Sequence, residues 1–201
     1  MNKLVPLLCC VFVFFTSLAQ DFEWSTSGGY ISTANSYNGA FDIARDPAGN
    51  MYVFNDANLP QQCQGDTVQM LSPSNPTHTF VYKFNPSGVL LWAKAIGVYF
   101  NPHAIEVDDA GSVYVLGQTP SDSIKLTDTV FTCPANSYHI VKLNPQGSFV
   151  WSRYTMPSIW GGGLGNNLLK YQSGQIYFQT AALTVASMDT SGQLLWPGPM
   201  G

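Results

Sequence analysis

Short apolar runs alternate with polar, glycine-bearing turns along this chain, and one arrangement of runs and turns recurs three times. The first copy reads FDIARDPAGNMYVF (Phe41 to Phe54) and then VYKFNPSGVLLW (Val81 to Trp92). The second reads HAIEVDDAGSVYVL (His103 to Leu116) and then IVKLNPQGSFVW (Ile140 to Trp151). The third reads NLLKYQSGQIYFQ (Asn167 to Gln179) and then VASMDTSGQLLW (Val185 to Trp196). Met51-Tyr52-Val53-Phe54, Val113-Tyr114-Val115-Leu116 and Ile176-Tyr177-Phe178 are rich in β-branched and aromatic residues, which favours strands. Phe80, Tyr82 and Phe84 alternate with Val81 and Lys83, and His139, Val141 and Leu143 with Ile140 and Lys142. Both faces are partly apolar, as in a sheet sandwiched between two others. Past the N-terminus no stretch keeps a 3.6-residue period, and Pro and Gly recur too often for long helices. The pattern predicts an all-β chain.

The turns carry the sharpest local physics. Asp46-Pro47-Ala48-Gly49, Asn85-Pro86-Ser87-Gly88, Asp108-Asp109-Ala110-Gly111, Asn144-Pro145-Gln146-Gly147 and Asp189-Thr190-Ser191-Gly192 share one grammar. Asp or Asn first accepts a hydrogen bond from the turn backbone. Pro second presets φ, and Gly fourth supplies positive φ. This predicts a type I turn closing into a bulged hairpin. A sixth copy, Tyr171-Gln172-Ser173-Gly174, keeps only the glycine.

Each unit then holds four strands: 41–46, 51–56, 79–85 and 89–96 in the first; 103–108, 112–118, 138–144 and 148–154 in the second; 167–171, 175–180, 184–189 and 193–197 in the third. Four-stranded antiparallel units in tandem make propeller blades, so the expected architecture is a propeller-like arc of three blades at about 41–96, 103–154 and 167–197. The surplus over common propeller repeats lies between strands two and three, where Ala57–His78 and Thr119–Ser137 read as long polar loops. Such loops carry either binding or sequence drift. Trp92, Trp151 and Trp196 end each unit and read as wedges between blades rather than a binding row. Trp24 looks like a further copy of the same strand without partners, which predicts an incomplete propeller, since closure takes about four to eight blades.

The first nineteen residues read as a secretory signal: Lys3, an apolar run from Leu4 to Phe15, and small residues before Gln20. The run is too short to span a bilayer. Cys9 and Cys10 leave with it, and Cys63 and Cys133 remain, in the long inserted loops of neighbouring units but not at equivalent positions. An exported chain permits a disulfide, and these two allow a single intramolecular pairing, with two thiols as the alternative. Charged residues make up 10% of the chain, against roughly 25% on average. Seven basic residues scattered against twelve acidic ones leave the mature chain near −5, with no basic patch for nucleic acid.

The segment D-x-x-G-N/S-x-Y-V at Asp46 to Val53 and Asp108 to Val115, with V-x-K-x-N-P-x-G-x-x-x-W at Val81 to Trp92 and Val141 to Trp151, resembles the SBBP family of bacterial β-propeller repeats. The second W segment is shifted by one residue in its apolar start. The third unit departs from the pattern, and Met188 to Trp196 looks more like the tryptophan-docking end of quinoprotein propeller repeats. The resemblance implies the fold and a place outside the cell or on its surface. It implies little about activity, because propellers host unrelated ones.

Candidate chemistry is sparse. His78, His103 and His139 fall at non-equivalent repeat positions without metal-ligand spacing. Gly161-Gly162-Gly163-Leu164-Gly165 joins two strands, which is the wrong context for a phosphate loop. Asp108-Asp109 lacks the further oxygen ligands that calcium needs, and Asp108 is spoken for by its turn. No nucleophile–base arrangement can be argued from residue order, and no cofactor is expected. Asn75 and Asn85 are each followed by proline, which blocks glycosylation. The expectation is a secreted or cell-surface, non-catalytic module for adhesion, scaffolding or binding to protein or glycan, with self-association through exposed blade faces. The alternatives are a fragment of a propeller hydrolase or quinoprotein, and glycan binding by Tyr99-Phe100 and Trp160.

Overall fold

The computed structural model describes residues 28–30, 39–72, 77–157, 169–181 and 184–196. The signal segment, Trp24, Trp160, the 161–165 loop, Asn75 and the side chain of Trp196 lie outside them. The described residues are all-β, and none of them lies in a helix. In chain order the strands are β1 (Gly28–Tyr30), β2 (Gly39–Arg45), β3 (Met51–Ala57), β4 (Gln61–Cys63), β5 (Asp66–Val68), β6 (His78–Phe84) and β7 (Leu90–Val98). Then follow β8 (Asn101–Val107), β9 (Val113–Thr119), β10 (Ser123–Leu126), β11 (Thr129–Thr132), β12 (Ser137–Leu143) and β13 (Phe149–Pro157). The last four are β14 (Leu169–Gln172), β15 (Gln175–Ala181), β16 (Thr184–Asp189) and β17 (Leu194–Trp196).

Three antiparallel meanders, β2-β3-β6-β7, β8-β9-β12-β13 and β14-β15-β16-β17, follow the three sequence units and are called blades one to three after the expectation above. Apolar side chains fill the space between consecutive blades. Tyr52, Phe54 and Val81 meet Ile105, Val115 and Val141 between the first and second; Tyr114, Leu116 and Ile140 meet Ile176, Phe178 and Met188 between the second and third. A third cluster, with Phe80, Tyr82 and Cys63, covers the remaining face of blade one. Every residue of β6 is buried, as a strand sandwiched on both faces requires.

The stretches read as long loops are in part sheet. Within Ala57–His78 lies the β4–β5 hairpin, and within Thr119–Ser137 the β10–β11 hairpin. Each hairpin pairs outside its own blade. β10 adds to β7 with Leu126 opposite Gly97 and Lys125 opposite Val98, extending blade one to six strands. β4 adds to β1 with Cys63 opposite Gly28. These strands cap edges that would otherwise present unpaired amides.

Of the two alternatives left open for Cys63 and Cys133, the structure has the two thiols. Cys63 sits in the cluster on the outer face of blade one and Cys133 in the cluster between blades one and two, and no disulfide joins them.

The six glycines of the turns, Gly49, Gly88, Gly111, Gly147, Gly174 and Gly192, all have positive φ. In five of these turns the glycine N–H donates to the carbonyl of the leading Asp or Asn, as at Gly147 to Asn144, 2.9 Å. The sixth differs in kind. Gln172 pairs directly with Gln175, and Ser173 (φ 51°) and Gly174 (φ 81°) are both left-handed, which is a two-residue type I′ hairpin.

Candidate functional site

The rim that carries the glycine turns is backed by a polar network present in blades one and two. In blade one, Asp46 Oδ1 accepts from Asn50 N–H (2.8 Å), and Oδ2 accepts from Asn50 Nδ2 (2.8 Å) and the Tyr52 hydroxyl (3.0 Å). Lys83 Nζ stands 3.9 Å from the same carboxylate and 4.9 Å from the centre of the Tyr52 ring. Blade two repeats the set. Asp108 accepts from Ser112 N–H (2.7 Å) and Tyr114 (2.8 Å), with Lys142 at 3.9 Å from the carboxylate and 5.1 Å from the Tyr114 ring centre. The pairings Tyr52 with Lys83 and Tyr114 with Lys142 fix these contacts by register.

Burial alone would raise the Asp46 carboxyl, but hydrogen bonds from Asn50 and Tyr52 and the charge of Lys83 outweigh it and hold it below its ordinary value. Burial, with the bond to Asp46, pushes the Tyr52 phenol far up, and Tyr114 behaves likewise beside Asp108. Such phenols stay protonated at neutral pH. The network binds its charges to one another and fastens the blade.

Trp92 and Trp151 each reach the next blade. Trp92 Nε1 donates to the carbonyl of Pro145 at 3.0 Å, and a Cβ on Gly147 would lie 3.1 Å from its ring. Trp151 Nε1 donates to Thr190 at 3.3 Å, and a Cβ on Gly192 would lie 3.2 Å from it. Lys142 Nζ shares that Thr190 carbonyl at 2.8 Å. A β-bulge precedes each tryptophan: Leu91, Val150 and Leu195 are skipped in the pairing with the neighbouring strand. Bulges re-aim the side chain beside them, for Trp92 and Trp151 toward the neighbouring turn. Sequence reasoning singled out the tryptophans but missed the bulges at Leu91, Val150 and Leu195 beside them and the Asp–Tyr–Lys set. The signal for the latter was present: in blades one and two the tyrosine follows the aspartate by six residues.

The opposite rim bears the inserted hairpins and the three histidines. His78 is fully buried; its Nε2 accepts from Ser72 N–H at 3.1 Å, so Nδ1 carries the proton. Burial and the nearby Lys125 charge push its pKa down. Lys125 Nζ itself donates to the Leu71 carbonyl at 2.8 Å, tying the two insertions together. His139 lies 3.0 Å from Ser137 Oγ and 3.4 Å from Ser152 Oγ, and burial pushes it down to about 4. His103 occupies a bulge of β8, tilted against Tyr138 with ring centres 5.7 Å apart, and burial lowers it too. All three imidazoles are neutral at physiological pH. Among the described residues no three His, Cys, Asp or Glu side chains come together as a metal site.

Large apolar side chains are exposed at both rims: Val89, Leu91, Val150, Leu194 and Leu195 beside the glycine turns, and others on or beside the hairpin rim. Tyr99, in left-handed backbone (φ 57°), is exposed, whereas its neighbour Phe100 is wholly buried and belongs to the core. Val130 on β11 and Tyr154 on β13 are 64% and 59% exposed.

No family model matches the sequence, and no curated protein matches it. Among solved structures, the chain is similar to a protein of unknown function from Bacteroides caccae, at 12% identity over 79% of this chain and 81% of that one, with a TM-score of 0.29. It is also similar to BamB from Moraxella catarrhalis, at 12% identity over 82% of this chain and 66% of that one, with a TM-score of 0.26. Among the described residues no helix is long and apolar enough to cross a membrane.

Proposed function

We propose that this chain is an exported, non-catalytic propeller-type module of the SBBP kind that binds a protein partner at the cell surface through its hairpin rim. The observation that carries the reading is the division of labour between the rims. Buried charge on the turn rim is consumed in fastening blades. The hairpin rim carries the insertions, the strained and exposed Tyr99, and the exposed Val130. Strained exposed residues on a rigid scaffold are characteristic of recognition surfaces.

We further read the described blades as part of a larger ring. β1 stands toward β4 as β7 stands toward β10, with Gly28 and Gly97 each opposite the last residue before the hairpin turn. That is the position of a preceding blade's outer strand.

A photo-crosslinking residue placed at Val130 or Tyr99, with Ile43 on an inner strand as control, tests the rim. Adducts with one protein from the rim positions only support the reading, and equal adducts from Ile43 overturn it. Binding to a glycan array that is lost in Tyr99→Ser would replace the protein partner with a carbohydrate. Light scattering after size-exclusion chromatography tests the ring: a discrete dimer means closure by two arcs.

A further inference from the structure

Two consecutive residues of the first insertion are held from two different strands. Ser72 N–H donates to His78 Nε2 at 3.1 Å, and the neighbouring Leu71 carbonyl accepts from Lys125 Nζ at 2.8 Å. His78 opens β6 and Lys125 lies on β10, and both pair with Val98 of β7. Residues in register across a sheet share a face, so the imidazole and the ammonium stand on one side of the ladder. The held chain covers something. Val68, Met70 and Leu71 pack on the cluster of Phe80, Tyr82, Phe84 and Cys63 on the outer face of blade one. Blade two places no titratable group here: aligned on Lys83 and Lys142, Ser137 stands where His78 does.

Of the two holds, one is sensitive to acid. Lys125 stays a donor as pH falls, whereas Nε2 accepts only while the ring is neutral. A proton on Nε2 would set N–H against the Ser72 N–H. The surroundings offer little to steady a positive ring. His78 is fully buried, and its Nδ1 has no hydrogen-bond partner among the described residues. Ala57 of β3 and Val98 of β7 flank it in the ladder without charge. Asp56 pairs with Thr79, one residue along, and so stands on the opposite face. Phe80, on the same strand, brings an aromatic ring with centres 6.2 Å apart. In the first insertion Asp66 is exposed. Burial first, and then the charge of Lys125, hold the imidazole below its ordinary value.

We propose that residues 69–72 form a clasp over the outer face of blade one, held by Lys125 and His78 and released by acid when His78 takes up a proton. The chain lifts, Nε2 binds a proton from water, and the imidazolium can no longer receive Ser72. Release uncovers the cluster around Phe80, Tyr82 and Phe84. The clasp is complete above the ordinary histidine value of 6.5 and weakens as pH falls below it. The proposal does not depend on the nature of the partner.

The test is hydrogen exchange of the full chain, read by mass spectrometry and corrected for the intrinsic pH dependence of exchange. Amides of 69–72 should be protected at about pH 7.5 and should lose up to about tenfold in protection per pH unit below about 6.5. Amides of β9 should lose less. His78→Gln keeps an oxygen that can accept from Ser72 and does not titrate, so it should flatten the loss in 69–72. His139→Gln should leave that loss unchanged, which separates the clasp from the acid response of the whole molecule. By NMR the His78 ring should titrate below 6.5 in the wild type and move up in Lys125→Met. No protection of 69–72 at about pH 7.5, no loss with acid, an equal loss in β9, or the same loss in His78→Gln overturns the proposal. A wild-type His78 midpoint at or above 6.5 overturns it as well, and that measurement needs no variant.

Discussion

Blades two and three share a strand plan and differ in what stands behind the turn. In blade two, Asp108 opens a bulged turn, Tyr114 donates to it, and Lys142 lies over the Tyr114 ring beside the carboxylate. In blade three the same places hold Tyr171, Tyr177 and Ser187, and Tyr177 pairs with Ser187 as Tyr114 pairs with Lys142. The acid and the base have disappeared together although they are far apart in sequence. The physical reason is that either one alone would be a buried, uncompensated charge. The turn has changed with them, since a two-residue type I′ hairpin leaves no leading residue to hold the carboxylate under the turn amides. What survives in blade three is the other turn, Asp189 to Gly192, which still receives Trp151 and Lys142. The network is therefore a matched set, while the tryptophan socket is an independent part.

The largest effect should come from splitting the matched set. Asp108→Ala leaves the Tyr114 hydroxyl without its acceptor and Lys142 without its counter-charge, with only the Thr190 carbonyl beside it, and should cost about 3 kcal/mol by urea unfolding. Tyr171→Ala at the equivalent place in blade three should cost about 1 kcal/mol or less. Replacing both charges, Asp108→Asn with Lys142→Met, should recover part of the loss. A double-mutant cycle with coupling below about 0.5 kcal/mol would show that the pair is no unit.

Glycine positions give the next contrast. Gly147→Val forces a β-branched residue into positive φ and into the Trp92 ring, for a loss of about 2–3 kcal/mol. Gly174→Asn keeps a residue tolerant of left-handed backbone where no atom lies within 4 Å, so its midpoint should shift by about 0.5 kcal/mol or less. If the two midpoints fall equally, the socket argument fails.

How much of this was legible depends on range. The turns, the strands and the tryptophans are decided by neighbours in sequence, so Asp46, Gly88 or Trp92 could be read directly. Strand exchange between blades could not, because nothing local in Ser123–Leu126 points to Gly97. The bulges at Leu91, Val150 and Leu195 were hidden for a related reason: they exist only against a partner strand. Cys63 and Cys133 illustrate the limit, since one export-compatible pairing was open and the hairpins carry the two sulfurs into different clusters. On the hairpin rim, His78 and His139 could be located but not assigned neutral, because burial supplies the shift.

A smaller effect distinguishes the rims by pH. The buried His139 imidazole, depressed to about 4, resists protonation while the unfolded chain takes up a proton below about 6.5. Stability should therefore fall as pH drops from about 6.5 toward 4, by at most about 3 kcal/mol. His139→Gln should shrink that limb, to which the buried His78 and His103 also contribute, when melting is followed against pH. The Asp46 carboxylate acts in a different window. Its lowered pKa adds stability that is complete above its ordinary value of 3.8 and is lost as pH falls below it. Asp46→Asn should remove that acid limb and leave the histidine limb in place.

The pairing of β10 with β7 also sets a schedule. A chain emerging from its N-terminus has completed β2, β3, β6 and β7 before Ser123–Leu126 exist, so the first blade waits with part of its outer edge bare. That interval is when an incorrect strand can dock and when a chaperone that shields edges would matter most. Residues beyond a blade's own last strand are thus needed to finish it, and the smallest piece of this chain that closes a blade edge is longer than one repeat.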